Sequence, residues 1–199
     1  MIIGITGTFG SGKTTVANMF RKYGFTIINV DKLYHGIYNK NNLLKNKIKK
    51  EFGTINRDQL KKIVFKDSKK LKSLNEITHP IIINSIKKEI NSIIKKTIIN
   101  KNYNKKLINE KINIVIDAPL LIEAKATNLV DKIIVVKCNK KEQIKRILKN
   151  KKYSKKEIEQ IIKSQIPINK KIKYADFVVD NNKTIKETER QVKTIISSL

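Results

Sequence analysis

The feature that most constrains the fold lies near the start of the chain. Residues 7–14 are Gly-Thr-Phe-Gly-Ser-Gly-Lys-Thr, which matches the pattern G-x-x-x-x-G-K-[ST] at every fixed position. Ile2, Ile3 and Ile5 before it predict a short buried strand, and residues 15–20 after it predict a helix. In this context the backbone N–H groups of the turn and the helix N-terminus would both face an anion. We therefore interpret the segment as a phosphate-binding loop; the alternative is a glycine turn followed by an accidental Lys-Thr.

The residues of the loop each have a chemical task at such a site. Lys13 can reach the outer phosphates of a nucleoside triphosphate, and the Thr14 hydroxyl can ligate Mg²⁺. The backbone predicted to cradle the phosphates of ATP belongs to Gly10, Ser11, Gly12, Lys13, Thr14 and Thr15. The motif alone predicts binding of a nucleotide and leaves the reaction open.

Four further segments are apolar and β-branched, as buried strands are. They are residues 26–30, 112–116, 133–136 and 177–179. Continuous apolar runs suit strands that are buried on both faces, so they favour a parallel sheet covered by helices.

In the segments between these strands, apolar residues recur at helical spacing, which predicts helices there. The repeats are Ile86, Ile90, Ile93 and Ile94, then Ile144, Ile147 and Leu148, then Ile158, Ile161 and Ile162. Three helix starts carry a polar cap with Glu three residues later, namely Asn139 with Glu142, Ser154 with Glu157 and Thr184 with Glu187.

The second and third predicted strands are unusually far apart. A crossover between parallel strands needs only about 10–12 residues, far fewer than this chain provides. Residues 32–108 therefore predict a mainly helical insert on the substrate side, ending in a loop at residues 101–106. A plain helical crossover without a binding role is the alternative.

Composition limits the protein class. A chain of 199 residues with 40% hydrophobic residues predicts one domain with a sizeable core. No apolar run approaches a membrane span, and because the first predicted strand starts at Ile2 we expect no signal segment ahead of it. Cys138 is the single cysteine, which suits a reducing cytoplasm, and with only His35 and His79 beside it a zinc site is not expected.

The formal charge of +27 raises the question of nucleic-acid binding. The excess is mostly Lys spread along the chain, with only four arginines: Arg21, Arg57, Arg146 and Arg190. A nucleic-acid binder more often shows Arg, aromatic residues and a localised basic face. We attribute the charge to compositional drift, with true polyanion binding as the alternative; a polyphosphate substrate would benefit from the field either way.

Two acidic residues stand where predicted strands end. Asp31 follows the second predicted strand, and Asp117 follows the third. Ligands of open α/β sheets bind beyond the carboxyl ends of the strands, so both carboxylates are site candidates. Asp31 could orient or deprotonate an acceptor hydroxyl, or cap the next helix. Asp117 could hold Mg²⁺ directly or through water, bind the acceptor, or cap a turn before Pro119.

Arg146 and the two histidines complete the candidates. Arg146 lies opposite the apolar face of its predicted helix, from which a lid could carry it to the γ-phosphate; a solvated helix face is the alternative. His79-Pro80 predicts a helix start, where His79 could contact substrate, cap or pack. His35 shows no discernible partner, and Cys138 is expected to pack near a strand end.

Together these motifs resemble those of the dephospho-coenzyme A kinase family over almost the whole chain. The matching segments are residues 5–14, Val30-Asp31, Leu74-Asn75, His79-Pro80, residues 117–123, Gln143 with Arg146, Gln165 and residues 175–181. Residues 117–123, Asp-Ala-Pro-Leu-Leu-Ile-Glu, resemble D-x-P-L-L-x-E and are the most discriminating stretch. Generic phosphate-loop kinases share the first motif but not this series.

The resemblance implies a doubly wound α/β fold, with a parallel five-stranded sheet of the P-loop nucleoside monophosphate kinase type. A single kinase domain would comprise a core of residues 1–31 and 109–199, a helical insert at 32–108 on the coenzyme A side and a helical lid at 140–168. The implied reaction moves the γ-phosphoryl group of ATP, with Mg²⁺, to the ribose 3′-hydroxyl of dephospho-coenzyme A.

The resemblance also implies roles for individual residues. Asp31, Lys13 and Arg146 would be catalytic, and Thr14, with Asp117 as a further candidate, would hold the metal. Contacts with the acceptor would come from Thr6, His79, Asp117, Pro119 and Leu120.

The chain departs from the family pattern at several positions. Thr8 stands where a second glycine is usual, and Asn29 where the first Asp often lies. Asn150 and Lys151 replace an Arg-Asp pair after Arg146. Losing one bidentate phosphate donor from a lid predicts a slower enzyme that is still active.

Other functions remain open on the sequence. A phosphate-loop kinase of another small hydroxyl acceptor, such as a nucleoside, a nucleotide or shikimate, is the first alternative, and an ATP-dependent nucleic-acid-binding protein is the second. For the favoured reaction the expected partners are ATP and dephospho-coenzyme A, with no specific nucleic acid and no membrane. We expect a cytoplasmic monomer, with weak self-association left open.

Overall fold

The computed structural model describes residues 1–103, 111–149 and 153–199. Its centre is a sheet of five parallel strands in the order β2-β3-β1-β4-β5. The strands are β1 (Ile2–Gly7), β2 (Thr26–Asn29), β3 (Ile114–Asp117), β4 (Lys132–Lys137) and β5 (Phe177–Asp180). The predicted parallel sheet is therefore confirmed, and all five strands arise from the five apolar segments.

Helices cover both faces of this sheet. They are α1 (Lys13–Phe20), α2 (Val30–Lys40), α3 (Asn42–Phe52), α4 (Arg57–Val64), α5 (Ser68–Tyr103), α6 (Lys140–Leu148), α7 (Lys155–Ser164), α8 (Ile168–Ile172) and α9 (Ile185–Ser197). One face of the sheet packs against α1 and α9 through Phe20 and Val192. The other packs against α5 through Ile86 and Ile90. This two-sided burial explains the continuous apolar strands and makes the fold doubly wound. Among the described residues, no helix is long and apolar enough to cross a membrane.

Several strand ends differ from the sequence prediction by one or two residues. Val30 belongs to α2 because the side chain of Asn29 accepts a hydrogen bond from the Lys32 N–H and so caps that helix. The third strand begins at Ile114 because its partner β1 begins opposite it, at Ile2. Asp117 pairs in register with β1 and β2, so it is the last residue of β3.

Between β2 and β3, the described part of the chain forms the helices α2 to α5. Helices α2 to α5 enclose a separate apolar cluster, whose buried members are Tyr38, Leu44, Ile48, Leu60 and Val64. The sequence prediction was wrong at two places along α5. This helix runs through Pro80 instead of starting there, and it continues to Tyr103, so residues 101–103 are helical. Residues 104–106 of the predicted loop lie outside the described part of the chain.

Tertiary packing explains why α5 tolerates a proline. Pro80 has no N–H to donate to the carbonyl one turn earlier. Around it, however, Ile77 and Ile81 pack on the cluster of the insert, while Ile82 and Ile83 pack on the core of the sheet. Burial on two sides holds the helix together where local preference would end it.

The predicted helix caps are confirmed. Asn139, Ser154 and Thr184 each accept a hydrogen bond from the backbone N–H three residues later. At Ser154 the backbone N–H also donates to the Glu157 carboxylate, which completes a capping box. Cys138 is buried just after β4, as expected.

Candidate active site

The phosphate-binding loop joins β1 to α1 and depends on glycine at two positions. Gly10 and Gly12 have φ angles of 79° and 90°, which side chains other than glycine adopt only with strain. A Cβ at Gly12 would also collide with the amide of Asn181. That amide donates to the Ser11 carbonyl at 2.8 Å, and Thr188 donates to its oxygen at 3.0 Å. The loop is thus fixed from behind by β5 and α9.

The N-terminus of α1 opens on this loop. The first N–H groups of a helix lack intrahelical partners, and no side chain caps α1 at Gly12. Thr14 and Thr15, in this first turn, are exposed. Such a terminus with positive partial charge is a ready site for phosphate oxygens.

Lys13 is buried beneath the loop, with 9% of its surface exposed. Its Nζ donates to the Thr8 carbonyl at 3.1 Å. Burial lowers the pKa of Lys13, whereas the carboxylates of Asp117 and Asp31 raise it. The Lys13 ammonium group therefore lies near a backbone carbonyl and two carboxylates. A bound polyphosphate would add further negative charge beside it and so stabilise its charged form against the cost of burial.

Asp117 is the buried acid of the site, with 2% exposure. Its Oδ2 accepts hydrogen bonds from the Thr14 hydroxyl at 2.7 Å and from the Asn29 amide at 2.9 Å. The structure thus brings together the ends of β2 and β3 and the start of α1. The Thr14 and Asp117 oxygens are hard donors of the kind Mg²⁺ binds.

Asp31 lies in the first turn of α2, next to this group, and is not the helix cap. Solvent reaches its side chain, yet the surrounding protein desolvates the carboxyl and raises the pKa of Asp31. The negative charge of Asp117 adds to this rise, while Lys13 and Arg57 oppose it. A carboxylate that has a raised pKa and is still reached by solvent is a better proton acceptor than an ordinary aspartate.

Helix α6 brings Arg146 to the back of the phosphate loop. Its Nη2 donates to the Asn181 carbonyl at 2.8 Å, and its guanidinium lies beside Gly12. Arg146 is half-buried, so the alternative of a fully solvated face does not describe it. Two glutamines also contact the loop: Gln143 donates to the Thr8 hydroxyl at 2.6 Å, and Gln165 accepts from the Phe9 N–H at 2.7 Å.

The predicted acceptor residues divide into half-buried and buried groups. Pro119 and Leu120 are half-buried in the turn after β3. Thr6 is fully buried and donates to the Pro119 carbonyl at 3.1 Å, so any effect of Thr6 on the acceptor would be indirect. His79 packs in the middle of α5, where its Nε2 is buried with no hydrogen-bond partner among the described residues. Burial lowers the pKa of His79, although Glu123 raises it.

Comparison with known proteins decides the family. The family model for dephospho-CoA kinase matches residues 1–187. The chain belongs to the dephospho-CoA kinase family. The dephospho-CoA kinase of Aquifex aeolicus is 37% identical over 205 residues, covering 99% of this chain and 96% of the relative. That of Carboxydothermus hydrogenoformans is 38% identical, covering 98% and 92%. The solved dephospho-CoA kinase of Campylobacter jejuni superposes with a TM-score of 0.65 at 26% identity, covering 99% of this chain and 96% of that one.

At two positions where the chain departs from the family motifs, the side chain makes hydrogen bonds within the site. Thr8 stands where the family usually has a second glycine. Its hydroxyl accepts a hydrogen bond from the Gln143 amide and so links the phosphate loop to α6. Asn29, at the usual first acid, holds Asp117 and caps α2 at the same time. Asn150 and Lys151 lie outside the described residues.

Sequence reasoning missed two cations near the site. Lys171 is fully buried in α8 and donates to the Pro119 carbonyl and the Glu123 carboxylate. Arg57 of α4 contacts His35 of α2, which the sequence left without a partner, and lies over the Tyr38 ring. Lysine is so abundant here that Lys171 carried no signal of its own; Arg57 was one of only four arginines, which could have marked it.

Proposed function

We propose that this chain transfers the γ-phosphoryl group of ATP to the ribose 3′-hydroxyl of dephospho-coenzyme A, giving ADP and coenzyme A. This is the last step of coenzyme A synthesis. Membership of the dephospho-CoA kinase family supports the reaction. The observation that carries it is the grouping of a buried lysine, Lys13, with Thr14, Asp117 and Asp31 at the carboxyl edge of a parallel sheet.

Binding of the nucleotide would depend on backbone more than on side chains. The N–H groups of residues 10–15 would surround the phosphates, and Lys13 would contact the outer ones. Arg146 would add positive charge behind Gly12 as the phosphoryl group moves.

The donor set at Asp117 fits Mg²⁺. Thr14 Oγ1 and Asp117 Oδ2 lie 2.7 Å apart, and both are oxygen ligands of the type magnesium prefers. Thr14 would ligate the ion directly, and Asp117 would hold it directly or through water. Bound there, Mg²⁺ would neutralise charge on the β- and γ-phosphate oxygens.

Asp31 would orient the acceptor hydroxyl and accept its proton. The hydroxyl oxygen forms a bond to the γ-phosphorus while the bond from that phosphorus to the β,γ-bridging oxygen breaks, and ADP leaves. In a loose transition state the proton moves late, so positioning by Asp31 matters as much as its basicity. The raised pKa of Asp31 supports acceptance of the proton.

The acceptor would occupy the side of the site facing the helical insert. Pro119 and Leu120 offer half-buried apolar surface there, and half-buried His79 is the candidate from the insert. The helices at 140–168 would form the lid, since Gln143, Arg146 and Gln165 already contact the phosphate loop or its support. Exclusion of water by this lid would protect ATP from hydrolysis.

The sequence also predicts a cytoplasmic monomer.

A panel of acceptors tests the proposal. The purified chain is given equal ATP and Mg²⁺ with dephospho-coenzyme A, a nucleoside monophosphate or shikimate, and release of ADP is followed. We expect turnover with dephospho-coenzyme A and a product heavier by one phosphoryl group in mass spectrometry. Lys13→Ala should weaken both nucleotide binding and rate, which excludes a contaminating kinase. Preference for a nucleoside monophosphate or shikimate would overturn the proposal.

A further inference from the structure

Lys171 has the environment of a buried cation. Its side chain has 0% exposure, and Nζ lies 2.8 Å from Glu123 Oε1 in a salt bridge. The same Nζ donates to the Pro119 carbonyl at 2.8 Å. Burial lowers the pKa of Lys171, and the Glu123 carboxylate opposes this. Because a buried charge is costly, a lysine is retained in such a place only where its bonds are satisfied.

The Pro119 carbonyl is held from two sides. Lys171 of α8 donates to it, and so does the Thr6 hydroxyl of β1, at 3.1 Å. Pro119 is two residues beyond Asp117, in the turn that also presents Leu120. The two donors therefore fix the direction in which the chain leaves β3 directly after the acid proposed for the metal.

Glu123 extends this contact towards the lid. Its carboxylate accepts from the Ile166 N–H at 3.1 Å, beside Gln165, whose side chain accepts from the Phe9 N–H at 2.7 Å. Hydrogen bonds thus link Phe9 of the phosphate loop to Gln165, and the next residue, Ile166, to Glu123. Lys171 continues the series from Glu123 to the Pro119 carbonyl in the turn after β3, so residues 165–166 form what we call the base of the lid.

We propose that Lys171 is a positioning residue for phosphoryl transfer, which sets the turn after β3 and couples it to the base of the lid. The proposal rests on the kinase reaction proposed above. Because its side chain has no exposed surface, Lys171 would not contact phosphate or acceptor itself; it acts through the Pro119 carbonyl and through Glu123. Its charge also acts on Lys13, whose pKa it lowers.

A salt bridge that only stabilises the fold is the competing explanation. Neutralising both partners of the ion pair distinguishes this explanation from the positioning role, because replacing a whole buried ion pair is often neutral for stability. In the double variant Lys171→Met/Glu123→Gln, no charge is left unpaired, and the glutamine oxygen can still accept from Ile166. The Pro119 carbonyl, however, loses one of its two donors.

The experiment compares this double variant with the wild type and with Lys22→Met, which breaks the exposed pair with Glu189. We expect the double variant to keep its unfolding midpoint and its ATP affinity by calorimetry. Its kcat should fall on the order of 10²-fold and its KM for dephospho-coenzyme A should rise, since small misplacements of reacting groups have effects of this size. Lys22→Met should match the wild type.

Wild-type kinetics in a folded double variant would overturn the proposal. If that variant does not fold, Thr6→Val decides, because it removes the other donor to Pro119 with little change in volume. Thr6→Val should lower kcat while leaving ATP affinity intact, and unchanged kcat and KM would again overturn the positioning role. A wild type inactive on dephospho-coenzyme A would instead reject the proposed function.

Discussion

At the scale of single residues, Asp31 is the sharpest test of the mechanism. Asp31→Asn keeps the size of the side chain but removes a proton acceptor. We expect turnover to fall about 10²-fold or more, with ATP binding nearly intact. Steady-state kinetics and calorimetry measure the two effects, with the exposed Asp58→Asn as a matched control. Near-normal turnover would remove Asp31 from the mechanism.

The raised pKa of Asp31 gives that residue a pH signature. Its carboxyl binds a proton more tightly in the folded chain than in the unfolded chain, so its contribution to stability declines as pH rises above the ordinary aspartate value of about 3.9. Asp31→Asn should therefore be slightly more stable than the wild type near pH 7 and lose that advantage in acid. Unfolding midpoints at several pH values measure it; a destabilised variant at neutral pH would contradict the assignment.

Asp117 carries a separate prediction about the metal. Asp117→Asn keeps acceptor capacity for the Thr14 hydroxyl but removes the charge beside the proposed ion. The Mg²⁺ concentration that gives half-maximal rate should rise several-fold, because a neutral amide oxygen is a weaker ligand than a carboxylate. A magnesium titration of the rate measures this shift, and Asp58→Asn again serves as control. An unchanged magnesium dependence would place the ion elsewhere.

At the scale of elements, two glycines in helical settings should respond oppositely to alanine. Gly12→Ala forces a side chain into a positive φ and against Asn181, so it should lower stability by about 1–3 kcal/mol and weaken ATP binding. Gly36 lies inside α2 with open space around its Cβ position. Gly36→Ala should raise stability by about 0.5–1 kcal/mol without changing turnover. Urea unfolding of both variants tests the pair; equal effects would contradict it.

The elements also show how far sequence reasoning extends. The strand, loop and helix at residues 2–20 and the three helix caps were predictable because each depends on neighbours within a few residues. Pro80 misled the prediction because α5 is held by contacts with two apolar clusters rather than by local preference. The role of Lys171 was hidden for the same reason, since its partner Glu123 is 48 residues away in the chain.

At the scale of the whole molecule, we expect the net charge of +27 to act on charged partners at long range rather than through particular contacts. Both proposed substrates carry several negative charges, so the field should attract them at long range. At 0.1 M ionic strength, salt largely screens this attraction at distances beyond about 10 Å. We therefore expect kcat/KM for dephospho-coenzyme A to fall as salt is raised from low to physiological concentration, while kcat at saturating substrate changes little.

The salt series distinguishes a field from a nucleic-acid site when duplex DNA is titrated in parallel. A dedicated site would saturate at physiological salt and compete with ATP, whereas lysines dispersed over the surface should bind DNA weakly and without saturation there. Sucrose of matched viscosity controls for diffusion in the kinetic arm. If kcat/KM were independent of ionic strength, attraction of substrates by the net charge would be excluded, and the lysine excess would have no part in catalysis.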